Sequence, residues 1–348
     1  MTRSTPQPDQ PDQHFQPVRP FSRRGLLRTA AALPWASAAW AQAPAQAAAQ
    51  APAQAPAQAL AQALEVEEGV YLLQGLPGEL SSANLGRVGN AGFIVGRQGV
   101  MAIDTGTSFL HGQALLDAIA QVTPRPVRLV LLTQARQEFI FGAAAYQARG
   151  IQVHMQRRAA ALMAARCDTC LKTLRAELGD DAMRGTVVPK PDVLFDDTHV
   201  LDTIGRPVLV THHGLANGPG SASALDTRTG TLFAGGLLDN RRIPDVQDGD
   251  LAQWRQAISA LRTLNIETIV PGHGKAGGRE VAVSNDRYLA QLEARCAALL
   301  KAGTALSAVP DAAELPEFSR WDQYDIIHRR NASVVFLRLE HRQLLAPA

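Results

Sequence analysis

Cys167-Asp168-Thr169-Cys170 is a C-x-x-C pair, and His212-His213 are adjacent imidazoles at the end of an apolar run. Thiolates at that spacing carry out disulfide exchange or bind a metal, and imidazoles transfer protons or bind a metal. A thioredoxin-like role for the cysteines needs a β–α context with the first cysteine at a helix N-terminus. Here the pair falls inside Arg157–Leu178, a charged helical stretch. That spacing on a helix brings the two sulfurs near each other, so a local disulfide in an oxidising compartment and a pair of free thiols both remain open. Cys296 reads as a lone buried thiol on a helix. With three cysteines the chain can build neither a disulfide framework nor a four-cysteine zinc module. His273 stands in Pro271-Gly272-His273-Gly274, while Asn217-Gly218-Pro219-Gly220 is turn chemistry. His111, His154, His199, His328 and His341 show no ligand spacing.

These residues must be positioned by an alternation of strands and helices. Val70–Leu73, Asn90–Gly96 and Gly99–Asp104 read as strands, the last two joined by hairpin chemistry at Gly96-Arg97-Gln98-Gly99. Leu110–Gln121 has helical spacing and ends before Pro124. Val127–Thr133 is a continuous apolar run, the signature of a strand buried on both faces. Ala143–Arg149 and Arg157–Leu178 read as helical, with a strand at Ile151–His154 between them. Val193–Phe195, Pro207–His212, Ser223–Asp226 and Thr231–Ala234 supply further strands. Leu251–Leu264 is an amphipathic helix, Ile266–Pro271 a short buried strand, and residues 279–303 and Asn331–Leu339 are helices. Two sheets covered outside by helices satisfy this order, an α/β (α+β) layout.

The chain has 348 residues, 34 Lys+Arg against 32 Asp+Glu, and a formal charge of +2. No strongly basic face is implied, which argues against a nucleic-acid partner. Phe21-Ser22-Arg23-Arg24-Gly25-Leu26-Leu27-Arg28 is a twin-arginine pattern. A weakly apolar Ala-rich stretch follows, and Ala39-Trp40-Ala41 is a small-x-small cleavage site. Residues 1–41 therefore read as a twin-arginine (Tat) signal peptide. The expected partner is the Tat export machinery and the expected location the periplasm. Pro34 and the short apolar length disfavour a spanning helix, so no stable membrane insertion is expected. Removing 1–41 removes five arginines and two aspartates, and the charge moves from +2 to −1. Residues 42–64 contain only Ala, Pro, Gln and Leu and read as a low-complexity, disordered tether.

The landmarks along the remaining chain resemble the metallo-β-lactamase superfamily. Asn90-Ala91-Gly92-Phe93-Ile94-Val95-Gly96, Ile103-Asp104-Thr105-Gly106 and Thr133 with the loop to Gly142 resemble its first half. Leu232-Phe233-Ala234-Gly235, Ile243-Pro244 and Val270-Pro271-Gly272-His273-Gly274 resemble its second. The details look most like a periplasmic subgroup, the quinoprotein relay system zinc metallohydrolases related to SoxH-type proteins. The tail Trp321-Asp322-Gln323-Tyr324, with His328, Asn331 and Glu340, is similar to that subgroup too. The resemblance implies an αββα sandwich over residues 65–275, with residues 276–348 a C-terminal helical extension packed on it.

The resemblance also implies a zinc site, and that is where this sequence departs. The family places H-x-H-x-D-H after the buried strand. The matching positions here are Gln134, Arg136, Glu138 and Phe139. Arginine has no lone pair to give and repels a divalent cation, and phenylalanine cannot coordinate. The next family histidine falls on Asn217, and the bridging aspartate falls on Gly236. Only His273 survives, whereas catalytic zinc needs about three protein ligands. The expectation is a pseudoenzyme without catalytic residues or cofactor that binds a ligand or a partner. That partner would be an active paralogue or a quinoprotein (PQQ) dehydrogenase component. The alternative is a metallo-hydrolase with a rebuilt zinc site from His212, His213, Asp239, His273 and Glu138, although a hydrogen-bonded, partly buried pair is the favoured reading of His212 and His213. Arg136 and Glu138, two apart in a loop, either pair with each other in the vacated metal hole or are simply solvated. Asp104 is expected to hydrogen-bond the loop.

Overall fold

The computed structural model describes residues 62–345. The segment expected to be a signal peptide, 1–41, and most of the expected tether, 42–64, lie outside them. Twelve strands run in chain order, β1 (Leu64–Glu67), β2 (Val70–Leu73), β3 (Ala91–Val95), β4 (Val100–Ile103), β5 (Val127–Leu132), β6 (Gln152–Gln156), β7 (Val193–Phe195), β8 (His199–Leu201), β9 (Val208–His212), β10 (Ala222–Asp226), β11 (Thr231–Gly235) and β12 (Thr268–Pro271). The helices are α1 (Phe109–Val122), α2 (Gln137–Ile140), α3 (Ala143–Gln147), α4 (Arg157–Leu178), α5 (Leu251–Ala260), α6 (Glu280–Lys301), α7 (Val309–Ala312) and α8 (Arg329–Leu345).

β1 to β7 form one sheet in sequence order, antiparallel up to β4 and parallel from β4 to β7. The second sheet has the order β12-β11-β10-β9-β8, with only β11 and β12 parallel. Strand periodicity divides the apolar side chains between layers. Met101, Ile103, Leu129 and Leu131 meet Val208, Val210, Phe233 and Val270 between the two sheets. Val100, Ala102, Val130 and Leu132 point the other way, onto Leu115 and Ile119 of α1 and Met163 of α4. On the far side, Leu232, Ala234 and Ile269 pack against Trp254 of α5 and Leu289 and Leu292 of α6. This is the αββα sandwich. Each buried Leu or Ile contributes about 1.5–3 kcal/mol, so two doubly covered sheets hold the fold without disulfides.

Helix starts follow capping chemistry. Ser108 Oγ accepts from His111 N at α1, and Asp250 Oδ1 accepts from Gln253 N at α5. β1 and β8 were not expected, since Leu64–Glu67 and His199–Leu201 are short edge strands with little apolar signal. The loop after β5 contains a short helix, α2, that the sequence reading lacked. The last helix is also longer than expected, Arg329–Leu345. Among the described residues no helix is long and apolar enough to cross a membrane.

The C-terminal extension packs α8 on α6 through Tyr288, Phe318 and Phe336. It also clamps the segment after β11. Asn331 Nδ2 donates to Pro244 O at 2.7 Å, and Asn331 Oδ1 accepts from Val246 N at 3.2 Å. Arg338 donates to the carbonyls of Val246, Gln247 and Gly249 at 2.6–3.0 Å. The extension thereby fixes the segment that carries Asp245.

Candidate functional site

At the C-terminal ends of β5, β11 and β12 the chain forms an open cleft of about 640 Å³, lined by Gln134, Arg136, Glu138, Gly236, Asp239, Asp245 and His273 among others. Behind Gln134 runs a buried hydrogen-bonded chain of two amides and a hydroxyl. Ser221 Oγ donates to Asn217 Oδ1, and Asn217 Nδ2 donates to Gln134 Oε1. All three side chains are buried. Gln134 Nε2 makes no hydrogen bond among the described residues. A Cβ built on Gly236 would lie 2.2 Å from Gln134 Nε2 and 2.7 Å from its Oε1. The amide of Gln134 thus fills the space that a carboxylate at 236 would need.

His273 is held from two directions. Asn90 Nδ2 donates to Pro271 O and Gly274 O, both at 2.8 Å, and fixes the loop on either side of it. His273 Nδ1 lies 2.7 Å from Asp239 Oδ1. Asp239 is itself fixed by Asn285, which accepts from its N–H at 3.1 Å and donates to its carbonyl at 2.6 Å. The other ring nitrogen, Nε2, is buried without a hydrogen bond, 3.6 Å from Glu138 Oε1. Phe139 is fully buried, and its ring packs on His273 with centroids 5.4 Å apart.

Arg136 does not pair with Glu138, nor is it simply solvated. Its guanidinium donates to Asp245 Oδ2 at 3.1 Å and to Asp245 O at 2.9 Å, with the side chain 21% exposed. The physical reason is α2. Residue 136 sits extended at the helix N-cap (φ −113, ψ 141), while Glu138 lies in the first turn. The two side chains leave in different directions, Glu138 toward His273. Burial disfavours the charge on Arg136, but Asp245, Glu138, Asp239 and Asp248 outweigh it and raise its pKa. Burial likewise opposes the charge on Asp245. There Arg136 and Arg330, the latter at 2.8 Å, prevail and hold the carboxyl below its usual value.

The five-residue rebuilt metal site is not assembled. Glu138, Asp239 and His273 come together, but His212 and His213 lie elsewhere. His213 Nε2 bonds Ser223 Oγ at 2.7 Å, and burial lowers the imidazole pKa to about 4. His212 lines a different groove, beside α5. β9 ends at that separate groove, where Ser223 holds His213 while His212 Nε2 stays buried without a hydrogen bond. Among the described residues no group of three or more His, Cys, Asp or Glu side chains is placed to hold a metal ion. The family's zinc does not fit these residues. At positions where the resemblance expects ligands stand a guanidinium and a phenyl ring, and the Gln134 amide fills the space that a carboxylate at 236 would need.

Asp104 does tie the loop. Its carboxyl accepts from Thr133 N at 2.9 Å and Thr133 Oγ1 at 2.8 Å, and burial raises its pKa to about 7. Cys167 is buried and Cys170, on the cleft wall, is partly exposed; both are free thiols well inside α4. Burial, reinforced by Cys170, pushes the Cys167 thiol up to about 12. Asp245, Arg330, Asn285 and Asn90 were missed as site residues. Asp245 directly follows the Ile243-Pro244 landmark, the one signal that pointed near it.

The model of the metallo-beta-lactamase superfamily matches residues 85–273, more than half of the chain. A comparison with curated proteins finds no match. Among solved structures, a metallo-beta-lactamase from Pontibacter korlensis is similar at 17% identity, covering 66% of this chain and 98% of that one, with a TM-score of 0.52. FIM-1 from Pseudomonas aeruginosa in its mono-zinc form gives 18% identity, 66% and 95% coverage, and a TM-score of 0.52. The stereoselective inverting sec-alkylsulfatase Pisa1 from Pseudomonas sp. gives 18% identity and a TM-score of 0.62 over 84% of this chain, which spans 53% of that protein. At these identities the likeness is one of fold. With the family model matched over that span, the chain belongs to the metallo-beta-lactamase superfamily.

Proposed function

We propose that this protein is a zinc-independent, non-hydrolytic member of its superfamily that binds a small ligand in the cleft above Gln134 and His273. The observation that carries this reading is the shared space of Gln134 and Gly236. A site that has merely lost ligands leaves a hole, whereas here the hole is filled by a hydrogen-bonded amide and bordered by the Arg136–Asp245 pair. A cleft of about 640 Å³ is in the size range of small-molecule sites, which favours a ligand over a protein partner on a flat patch.

The twin-arginine motif supports export to the periplasm. The resemblance of the tail to quinoprotein relay proteins supports a role beside a PQQ-dependent dehydrogenase or an active paralogue. The competing reading is a hydrolase with one metal at His273. It draws on the gathering of His273, Asp239 and Glu138, but Asp239 is turned to Nδ1 and leaves one nitrogen and one carboxylate facing each other. Metal analysis of the full chain, purified without chelator and then equilibrated with zinc, decides between them. The expected content is far below one ion per chain; about one or two bound zinc ions would overturn the proposal.

A further inference from the structure

We propose that the cleft binds a primary ammonium group, seated on Glu138 and His273, carried by a molecule with an apolar body. This rests on the reading of the cleft as a ligand site and names the class of ligand.

The first observation is a pair of facing acceptors. Because His273 Nδ1 lies 2.7 Å from the Asp239 carboxylate, the ring proton belongs on Nδ1 and Nε2 is left with its lone pair. His273 is only 7% exposed, and its Nε2 has no hydrogen-bond partner among the described residues. The nearest polar group is Glu138 Oε1 at 3.6 Å, another acceptor, beyond hydrogen-bonding distance. Neither atom can satisfy the other. Nε2 is closed to solvent as it stands, so Glu138 must swing aside to admit a ligand; one atom that carries several protons, seated between them at about 2.9 Å from each, then satisfies both. An ammonium nitrogen is such an atom.

The second observation is charge. Six carboxylates and three guanidiniums line the cleft. Arg136 and Arg330 both engage Asp245, and Arg242 engages Asp322. Glu138 therefore faces the opening with no guanidinium bonded to it, Arg136 acting on it only through space, and Glu79 and Glu177 add negative charge at the rim. A cation is drawn in and an anion is repelled. A divalent metal would meet the same field, but among the described residues no group of three or more His, Cys, Asp or Glu side chains is placed to hold one, and zinc takes three or four ligands. The third observation is the wall. Leu80, Val88, Leu174, Ile243, Ile326 and Ile327 border the same space and suit an aliphatic or aromatic body.

Calorimetric titration of the full chain with n-hexylamine tests this, with hexan-1-ol and hexanoate as controls. Hexylamine should saturate one site per chain, weaken as salt is raised, and lose about tenfold or more in affinity on Glu138→Gln and on His273→Phe. Each variant is first checked for a cooperative thermal transition. Should Glu138→Gln fail to fold, Glu177→Gln at the rim should still weaken hexylamine and leave hexanol unaffected. No saturable binding of hexylamine, or unchanged affinity in Glu138→Gln, overturns the proposal. Equal or tighter binding of hexanol or hexanoate overturns the ammonium assignment while leaving a ligand site standing. Zinc bound at about one ion per chain overturns the reading beneath it.

Discussion

Gln134 and Gly236 occupy one space, with the Gln134 amide standing where a side chain at 236 would begin. The loss of one family carboxylate and the presence of the amide are therefore a coupled pair. Gly236→Asp should fail to restore a metal ligand. It should instead push Gln134 off Asn217 and cost about 1–3 kcal/mol, as overpacking does. Gln134→Ala in the same chain should recover most of that loss. A double-mutant cycle by urea unfolding reads the coupling, and strict additivity of the two changes would contradict it.

Arg136 is one of three guanidiniums that line the cleft. Arg136→Met leaves Asp245 with Arg330 alone and takes a counter-charge from Glu138 and Asp239. The expected loss is about 2 kcal/mol, below the range for a fully buried pair because both side chains keep some solvent. Adding Asp245→Asn should return part of it. A variant as stable as the parent would show that Asp245 needs only Arg330.

Asp104, His111 and His213 set the acid side of the stability curve. Asp104 has its pKa raised from 3.8 to about 7, chiefly by burial. The folded state keeps a proton there that the unfolded state loses, so its contribution falls as pH rises from 4 to about 7. His111 and His213 are lowered from 6.5 to about 4, again chiefly by burial. Their contribution is complete above 6.5 and is lost as pH falls toward 4. Two histidines oppose one aspartate, at about 1.4 kcal/mol per pH unit for each proton. Stability should therefore rise between pH 4 and 6.5. Asp104→Asn should make that rise steeper. Urea midpoints at pH 4.5, 5.5 and 6.5 measure the slope, and a shallower slope in the variant would refute the assignment.

Thiol labelling should separate the three cysteines. Cys170 is partly exposed, whereas Cys167 and Cys296 are buried with pKa values raised to about 12, chiefly by burial. Near pH 8 one thiol per native chain should react quickly with a disulfide reagent, and Cys170→Ser should abolish that phase. Rapid labelling of Cys167 would show that α4 opens locally.

Most of the architecture was legible because the apolar runs are long and doubly buried. Val127–Thr133 could only be an inner strand, and Leu251–Leu264 kept a helical stripe. That alternation allows two sheets covered by helices, and the αββα order itself comes from the family resemblance. The short edge strands β1 and β8 were illegible, since pairing defines them more than burial. At the site, the departures at Gln134, Arg136, Phe139 and Gly236 could be read one by one. What fills the gap could not. Arg136 reaches across 109 residues of chain to Asp245, and no local pattern announces such a partner. Separations of 46 and 85 residues likewise hid the roles of Asn285 and Arg330.

Asn90 has a kinetic consequence. Its amide reaches carbonyls 181 and 184 residues away, and those bonds join the entry of one sheet to the exit of the other. The loop that holds His273 can be shaped only after nearly the whole chain has collapsed around it. Contacts of such high order form slowly. The cleft is then completed late in folding, and Asn90→Ala should leave both sheets assembled with the loop of His273 loosened, read as an unchanged far-UV circular dichroism spectrum with faster amide exchange in that loop.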